Sequence, residues 1–125
     1  MNLNQVTVQS TNISSSIDFY KSLGLILIVE SEHYARFECP EGDSTFSVHF
    51  TTEPRASNTV VYFEVSDLKA IHRDLTAAGH GFIKPPTEEP WLWHEARILD
   101  PSGNEICLYS AGHNRKNPPW RVSQA

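Results

Sequence analysis

The sequence predicts an α+β fold in which one βαβββ unit occurs twice in tandem. Two helix-like segments have equal lengths between their start and stop signals, because Asn12 to Gly24 and Asp67 to Gly79 each span 12 positions. An alternating strand-like run precedes each helix, and short strand-like runs with turn signals follow it. Internal repetition of this kind restricts the possible folds, because the second copy is expected to repeat the topology of the first.

The first copy begins with the run from Gln5 to Gln9, where polar and apolar residues alternate as in a half-buried strand. Asn12 is a suitable N-cap for the helix that follows, since its side-chain oxygen can accept a first-turn N–H. Gly24 can adopt the left-handed conformation that ends a helix. Three strand-like runs come next, at 25–30, 34–39 and 45–51.

The second copy starts after a linker-like stretch at 52–58. Val60 to Val65 alternates as a strand, and Asp67 and Gly79 delimit the second helix. The remaining predicted elements are a short strand near Phe82, a polar loop at 85–90, and a hairpin of 93–99 with 105–109 through Asp100-Pro-Ser-Gly-Asn. We therefore predict a single domain of residues 1–125, with module one at about 3–52, module two at about 58–110 and a C-terminal tail at 111–125.

Composition and charge exclude several classes of partner. The net charge of -5, with no run of Lys or Arg, argues against binding to nucleic acid, which requires a basic surface. The longest apolar run, Leu25 to Val29, is far shorter than the roughly 20 residues that span a bilayer. The first residues lack the basic and apolar regions of a secretory signal, and two cysteines make no disulfide framework. We expect a cytoplasmic protein with no membrane partner.

Several stretches of the sequence resemble the vicinal oxygen chelate superfamily, which includes glyoxalases, bleomycin-resistance proteins and ring-cleaving dioxygenases. The opening NQVTVQSTNISSSIDFYKSLGL carries the resemblance in the first half, and VYFEVSDLKAIHRDLTAAG and ARILDPSGNEICLYS carry it in the second. The resemblance covers about residues 3–110. The stretches HYARFECPEG, WLWHEARILDPSGN and NPPWR look like an uncharacterised glyoxalase-like branch.

The resemblance implies that the tandem βαβββ modules form a curved mixed-sheet cup, the glyoxalase/bleomycin-resistance/dihydroxybiphenyl dioxygenase fold. Such a cup is usually completed by a homodimer. We also expect residues 45–50 to form an edge strand, which dimerisation would cover. Metal enzymes of the superfamily hold a divalent ion with up to four side chains, which come from the first and last strands of each module.

Residue by residue, the resemblance places the metal positions on Gln5, His49, Val60 and Cys107. Ser47 replaces His49 if the strand register differs by two. Valine offers no donor, and the thiol of Cys107 stands where ring-cleaving dioxygenases need a carboxylate, which disfavours that activity. Gln5, His49 and Cys107 with a water would suffice for zinc or nickel. We favour the alternative, in which the site is degenerate and the protein works without a bound metal.

Other polar and aromatic side chains are predicted to line the cup. Glu64 and His49 could form an acid–base pair, or a hydrogen-bonded pair that only supports the sheet. Arg97 could bind a carboxylate or phosphate, or pair with Glu95 or Glu64. Four aromatic residues are candidates for stacking on a planar ligand: Tyr62, Trp91, Trp93 and Tyr109.

Two main functions follow from these candidates, and metal-free acid–base catalysis by His49 and Glu64 is a third. The first is a glyoxalase-like lyase or isomerase, in which a divalent cation polarises a carbonyl oxygen and Glu64 moves a proton. The second is a metal-free, bleomycin-resistance-like protein that binds a drug or metabolite in a dimeric cup. In both, the partner is a small molecule and the protein is a homodimer.

Overall fold

The computed structural model describes residues 1–123 of the chain. Its elements follow one another as strand, helix and three strands, twice. The first set is β1 (Gln5–Ser10), α1 (Ile13–Ser22), β2 (Ile26–Glu30), β3 (Tyr34–Glu38) and β4 (Thr45–Phe50). The second set is β5 (Val60–Glu64), α2 (Leu68–Ala77), β6 (Phe82–Glu88), β7 (His94–Leu99) and β8 (Glu105–Ser110), followed by a 3-10 turn at Gly112–Arg115. This order confirms the predicted tandem βαβββ repeat and the α+β class.

Each set of strands forms its own four-stranded sheet, with the orders β1-β4-β3-β2 and β5-β8-β7-β6. In the first sheet β1 pairs with β4 in parallel, whereas β4 with β3 and β3 with β2 are antiparallel. The prediction that residues 45–50 form an edge strand is therefore wrong, because β4 lies between β1 and β3. The burial of three successive residues, Phe46, Ser47 and Val48, agrees with a central strand covered on both faces.

The helix boundaries agree with the start and stop signals in the sequence. The side chain of Asn12 accepts a hydrogen bond from the Ser15 N–H at 3.0 Å, and that of Asp67 accepts one from the Ala70 N–H at 3.0 Å. Gly24 and Gly79 follow the helices with φ of 96° and 97°. Both are left-handed values that a glycine adopts without steric cost.

The prediction of a polar loop at 85–90 is wrong for its first four residues, because β6 continues through Pro85 and Pro86 to Glu88. Proline cannot donate to a sheet ladder, so within sheets it is confined to edges and bulges. β6 satisfies both conditions. It is an outer strand of its sheet, and its pairing with β7 shifts register between Phe82 and Lys84 and again between Lys84 and Thr87.

The contacts divide the chain into two compact units. The first unit comprises Met1–Val60 with Leu99–Glu105, and the second comprises Val61–Ile98 with the chain from Ile106 onward. In the first unit, α1 packs its Tyr20 ring against Phe37 and Phe46, with centroid distances of 5.9 and 4.5 Å. In the second unit, the ring of His72 on α2 contacts the Phe82 ring at a centroid distance of 4.6 Å. The largest fully buried aliphatic side chains of this unit are Ile98, Ile106 and Leu108.

A buried carboxylate organises the turn between β7 and β8 in the first unit. Asp100 is 4 % exposed and accepts four hydrogen bonds. The N–H groups of Ser102 and Asn104 donate to Oδ1 at 2.9 Å each, and the Asn104 amide donates to Oδ2 at 2.8 Å. The fourth donor is the Tyr20 hydroxyl of α1, at 2.6 Å from Oδ2. The Asp-Pro-Ser-Gly-Asn turn is thus tied to the core of this unit.

In the described residues, 1–123, no helix has the length and apolar character needed to cross a membrane.

Candidate functional site

One face of the first sheet is a ladder of polar side chains, on the side opposite to the rings that pack on α1. The strand register aligns these side chains in rows across the strands. Ser47 of β4 lies between Thr7 of β1 and Arg36 of β3, while His49 lies between Gln9 and Tyr34. Ser47 is fully buried, and its Oγ is 2.6 Å from Thr7 Oγ1.

Tyr34 and Arg36 form a polar pair on this face. The Nε of Arg36 donates to the Tyr34 hydroxyl at 2.8 Å, and the guanidinium carbon lies 5.4 Å from the centre of the tyrosine ring. Hydrogen bonding from Ser47, and after it from Arg36, lowers the pKa of Tyr34 below its usual value. The ring of His49 lies edge-on to Tyr34 at 6.5 Å.

Ser47 and His49 are the two alternatives predicted for the metal position of module one that joins Gln5. In the structure, Ser47 lies next to Gln5. The Gln5 amide nitrogen donates to Ser47 Oγ at 3.3 Å, and its Oε1 accepts from the Thr45 hydroxyl at 2.6 Å. His49 pairs with Gln9, four residues further along the strand. At about 3.3 Å per residue, that separation is roughly 13 Å.

In the second unit, three aromatic rings form a cluster on one face of the sheet. Trp93 stacks on Tyr109 with a centroid distance of 4.6 Å and an angle of 14° between planes. Tyr62 meets both edge-on, at 6.0 Å from Trp93 and 5.7 Å from Tyr109. Tyr109 is buried, whereas Tyr62 keeps 44 % of its surface exposed. Burial, and after it the Glu64 carboxylate, raises the pKa of Tyr109.

The buried carboxylate of Glu95 connects the other candidates of the second unit. Glu95 is 2 % exposed, and its Oε1 accepts from Arg97 at 2.9 Å. Its Oε2 accepts from the Trp91 indole at 2.6 Å, and the Cys107 sulfur lies 3.6 Å from Oε1. Arg97 also donates to the Tyr62 hydroxyl at 3.1 Å. Glu95 and Glu64 were the predicted partners of Arg97, and the structure pairs Arg97 with Glu95.

The tip of the β6–β7 hairpin holds both tryptophans. The Leu92 N–H donates to the Glu89 carbonyl, and the Glu89 N–H to the Trp93 carbonyl, which closes a tight turn with Pro90 at its second position. Leu92 has a φ of 69°, in the left-handed region that normally favours glycine. The backbone strain of such a residue costs of order 1–3 kcal/mol, so the turn is held by its surroundings.

Each unit holds only part of the ligand set that the superfamily resemblance implies for a divalent metal. In the first unit, Gln5 is already hydrogen-bonded through its oxygen and lies far from His49 along the ladder. Val60, at the end of the first unit, opens β5 without a donor atom, and in the second unit the Cys107 thiol is fully buried beside Glu95. Within residues 1–123, neither unit by itself holds three or more His, Cys, Asp and Glu side chains placed around a metal. We assign no chemical step to a metal.

The predicted acid–base pair and the predicted metal set each draw on both units. His49 belongs to the first unit and Glu64 to the second, and both are exposed. Gln5 and His49 belong to the first unit, while Cys107 belongs to the second. Both groupings stay predictions.

A cleft of about 410 Å³ in the first unit contains none of the predicted site residues. It lies between the linker and the β7–β8 turn, and Gln9 anchors the linker there. The Gln9 amide donates to the Arg55 carbonyl at 2.6 Å and accepts from the Arg55 N–H at 2.8 Å. Its other lining residues are small or polar and include Ser57, Ser102 and Asn104.

Tyr34 and Arg36 are not among the site residues predicted from the sequence. Their signal was the alternation of residues 34–38, in which Ala35 and Phe37 are buried and the residues between them face the other way. The same alternation in β4 predicts that Ser47 and His49 lie on the polar face. Applied to β3, it would have placed Tyr34 and Arg36 on the same polar face.

The family follows from the match of the whole repeat. The pattern of the Glyoxalase/Bleomycin resistance protein/Dioxygenase superfamily matches residues 2–108. The chain belongs to this superfamily. It is also 28% identical over 109 residues to an uncharacterized protein of Mycolicibacterium smegmatis, which covers 84% of this chain and 90% of that protein.

Solved structures of this superfamily have the same fold. A glyoxalase/bleomycin resistance protein/dioxygenase from Nocardioides superposes with a TM-score of 0.77 at 19% identity, over 98% of this chain and 90% of that one. A lactoylglutathione lyase from Agrobacterium tumefaciens gives a TM-score of 0.74 at 12% identity, over 87% and 92% of the two chains. Identities this low establish the fold alone.

Proposed function

We propose that this superfamily member binds a small, planar or aromatic molecule against the ring cluster of its second unit, without a metal. The observation that carries the proposal is the stacked pair of Trp93 and Tyr109 with Tyr62 edge-on to both. A ring cluster that is still partly exposed, at Tyr62 and at the neighbouring Trp91, offers apolar surface to a flat ligand.

The polar groups around the cluster support a defined ligand orientation. The Tyr62 hydroxyl receives a hydrogen bond from Arg97, whose position is fixed in turn by the buried Glu95. A ligand that stacks on the rings would meet this hydroxyl and guanidinium at its edge. Fixed polar groups beside an apolar surface give orientation and specificity, while the rings supply most of the affinity.

A glyoxalase-like lyase or isomerase is the second candidate, supported by the fold shared with the Agrobacterium tumefaciens lactoylglutathione lyase. In that case zinc or nickel would be bound, with Gln5, His49 and Cys107 as ligands and Glu64 as the base. Val60, which offers no donor atom at one of the four implied metal positions, favours the metal-free proposal over this candidate.

The test is a titration of the chelator-treated Trp120→Phe protein with 2-naphthol. Tryptophan fluorescence is the readout of binding. Trp120 lies in the tail, so its replacement leaves Trp91 and Trp93 as reporters. We expect saturable quenching, and an affinity weakened about two- to tenfold in Tyr62→Ala, since an aromatic pair contributes about 0.5–1.5 kcal/mol. Tyr62→Phe, the matched control, keeps the ring and is expected to bind nearly as well as the parent.

Equal affinities in Tyr62→Ala and the parent would contradict a site at the ring cluster. Metal content, measured on protein purified without chelator or tag histidines, separates the two candidates. Stoichiometric zinc or nickel, together with loss of 2-naphthol binding after chelation, would favour the lyase.

We propose in addition that the protein forms a homodimer in which β2 contributes to the interface. β2 is an outer strand of the first sheet, and its Ile26, Ile28 and Val29 are 46 %, 46 % and 39 % exposed. Adjacent exposed aliphatic side chains on one strand are typical of a surface that another chain covers. Light scattering on the parent is expected to give twice the monomer mass, and Ile28→Lys to give the monomer. A monomeric parent would rule out the dimer.

A further inference from the structure

Among the described residues, Arg36 has no acidic side-chain partner, unlike Arg73 and Arg97, the two arginines with a described ion pair. Arg97 pairs with Glu95 at 2.9 Å and Arg73 with Asp74 at 3.3 Å. Arg36 has its Nε on the Tyr34 hydroxyl, and among residues 1–123 no carboxylate lies within 4 Å of its guanidinium. The side chain is nevertheless half-buried. A partly desolvated positive charge without a counter-charge is costly unless a ligand compensates it.

The surroundings of Arg36 hold the guanidinium in place. The Tyr34 hydroxyl accepts from its Nε, and the Tyr34 ring packs against its plane. With Nε engaged in this way, the two terminal nitrogens form the end of the fork. Because these contacts are made to neutral groups, they orient the guanidinium without cancelling its charge.

On the β4 and β1 side, the neighbours of Arg36 carry groups that can donate hydrogen bonds, whereas its register partner on β2 is Val29. Ser47 is its register partner on β4, Thr7 lies beyond Ser47 on β1, and the Gln5 amide donates toward Ser47. Hydroxyl and guanidinium groups side by side are the donors that oxyanions need. The planar fork of arginine matches the oxygens of carboxylates and phosphates.

We propose that Arg36, held by Tyr34 and flanked by Ser47 and Thr7, is a binding site for the oxyanion of a small molecule, a carboxylate or a phosphate. The site lies entirely in the first unit. It is independent of the aromatic site proposed above, because none of its residues belongs to the ring cluster of the second unit.

The test is a titration of ¹⁵N-labelled protein with sodium acetate and, separately, with inorganic phosphate, at constant ionic strength maintained with sodium chloride. We expect saturable shifts of the amide signals of β3 and of Ser47, with a dissociation constant on the order of millimolar for a single small ion. The anion that binds more tightly shows which of the two oxyanions the site prefers.

Arg36→Met is expected to weaken this binding about tenfold or more, since a charged pair of hydrogen bonds is lost. Arg36→Lys keeps the charge without the fork and should bind with intermediate affinity. Arg73→Met is the matched control, because Arg73 is an exposed arginine already paired with Asp74. Amide dispersion establishes that each variant is folded.

An unchanged dissociation constant in Arg36→Met, or shifts that never saturate in the parent, would overturn the proposal. Loss of 2-naphthol binding in Tyr62→Ala leaves it unaffected, since that probe is uncharged and reports on the second unit. The two proposals therefore fail separately.

Discussion

Replacing Asp100 by alanine is expected to lower the free energy of unfolding by about 3–4 kcal/mol. The carboxylate accepts four hydrogen bonds while only 4 % exposed, and alanine leaves all four donors without it. The Tyr20 hydroxyl suffers most, because its ring is fully buried in the core of the first unit. A buried donor that loses its acceptor costs the full desolvation of that group. Equilibrium urea unfolding measures the change.

Three further variants separate the network from a general effect of losing an acid. Tyr20→Phe removes one donor and keeps the carboxylate's other three, so we expect a loss of about 1–3 kcal/mol. Asp100→Asn keeps the shape of the side chain and should fall between parent and alanine. Asp74→Ala is the matched control, since Asp74 is exposed and paired only with Arg73, and should change stability by less than about 0.5 kcal/mol. A loss below about 1 kcal/mol in Asp100→Ala would contradict the network.

The same contact predicts a pH dependence. Burial, followed by the Asp100 carboxylate, raises the pKa of Tyr20 well above its usual range. The folded state therefore keeps this proton where the unfolded chain loses it, near pH 10. The stabilisation is complete below that pH and declines above it. We expect the parent to lose stability between pH 10 and 11 more steeply than Tyr20→Phe.

Replacing Glu95 by alanine is expected to destabilise the protein by about 3–5 kcal/mol. Arg97, whose side chain is 22% exposed, loses the carboxylate that compensates its charge, and the Trp91 indole loses its acceptor. Breaking a buried pair from one side is costly because the remaining charge stays in a poorly solvated site. Urea unfolding measures the stability, and near-ultraviolet circular dichroism reports the release of Trp91.

The double variant Glu95→Gln with Arg97→Met tests this reason directly. It removes both charges and keeps similar volumes, so it should recover much of the stability lost in Glu95→Gln alone. If the double variant were as unstable as the sum of the single changes, the ion pair would not be the cause. The binding of 2-naphthol by the double variant would then show how far Arg97 contributes to orientation.

The repeated unit could be predicted from the sequence because its signals are local. Asn12 and Asp67 cap helices through residues three positions away, and alternation over five or six residues predicts a strand. The central position of β4 and the extension of β6 through its prolines depend on pairing between distant strands. A single sequence records those pairings only indirectly, so both were wrongly predicted.

In the candidate site too, features with local sequence signals could be predicted, whereas contacts between distant residues could not. Alternation along β5 and β8 predicted Tyr62 and Tyr109 on one face, and their ring centroids lie 5.7 Å apart. Trp91 and Trp93 precede β7, which begins at His94. The ligand role of these rings stays a prediction. The Tyr20–Asp100 bond joins residues 80 positions apart, so Asp100 could be predicted as part of a turn only. Likewise, alternation allowed either Ser47 or His49 as the neighbour of Gln5. The parallel register of β1 and β4 places His49 opposite Gln9, and the Gln5 amide reaches Ser47 instead.

The prolines of β6 also affect how the protein behaves before folding is complete. An outer strand with free N–H groups is a template on which another partly folded chain can add a strand. Pro85 and Pro86 offer no N–H, and two shifts of register interrupt the ladder around them. β2, the corresponding strand of the first module, has no proline and a single shift. During synthesis or refolding at high concentration, association through β-strands should therefore begin at the first module, and solubility screens should target its outer strand.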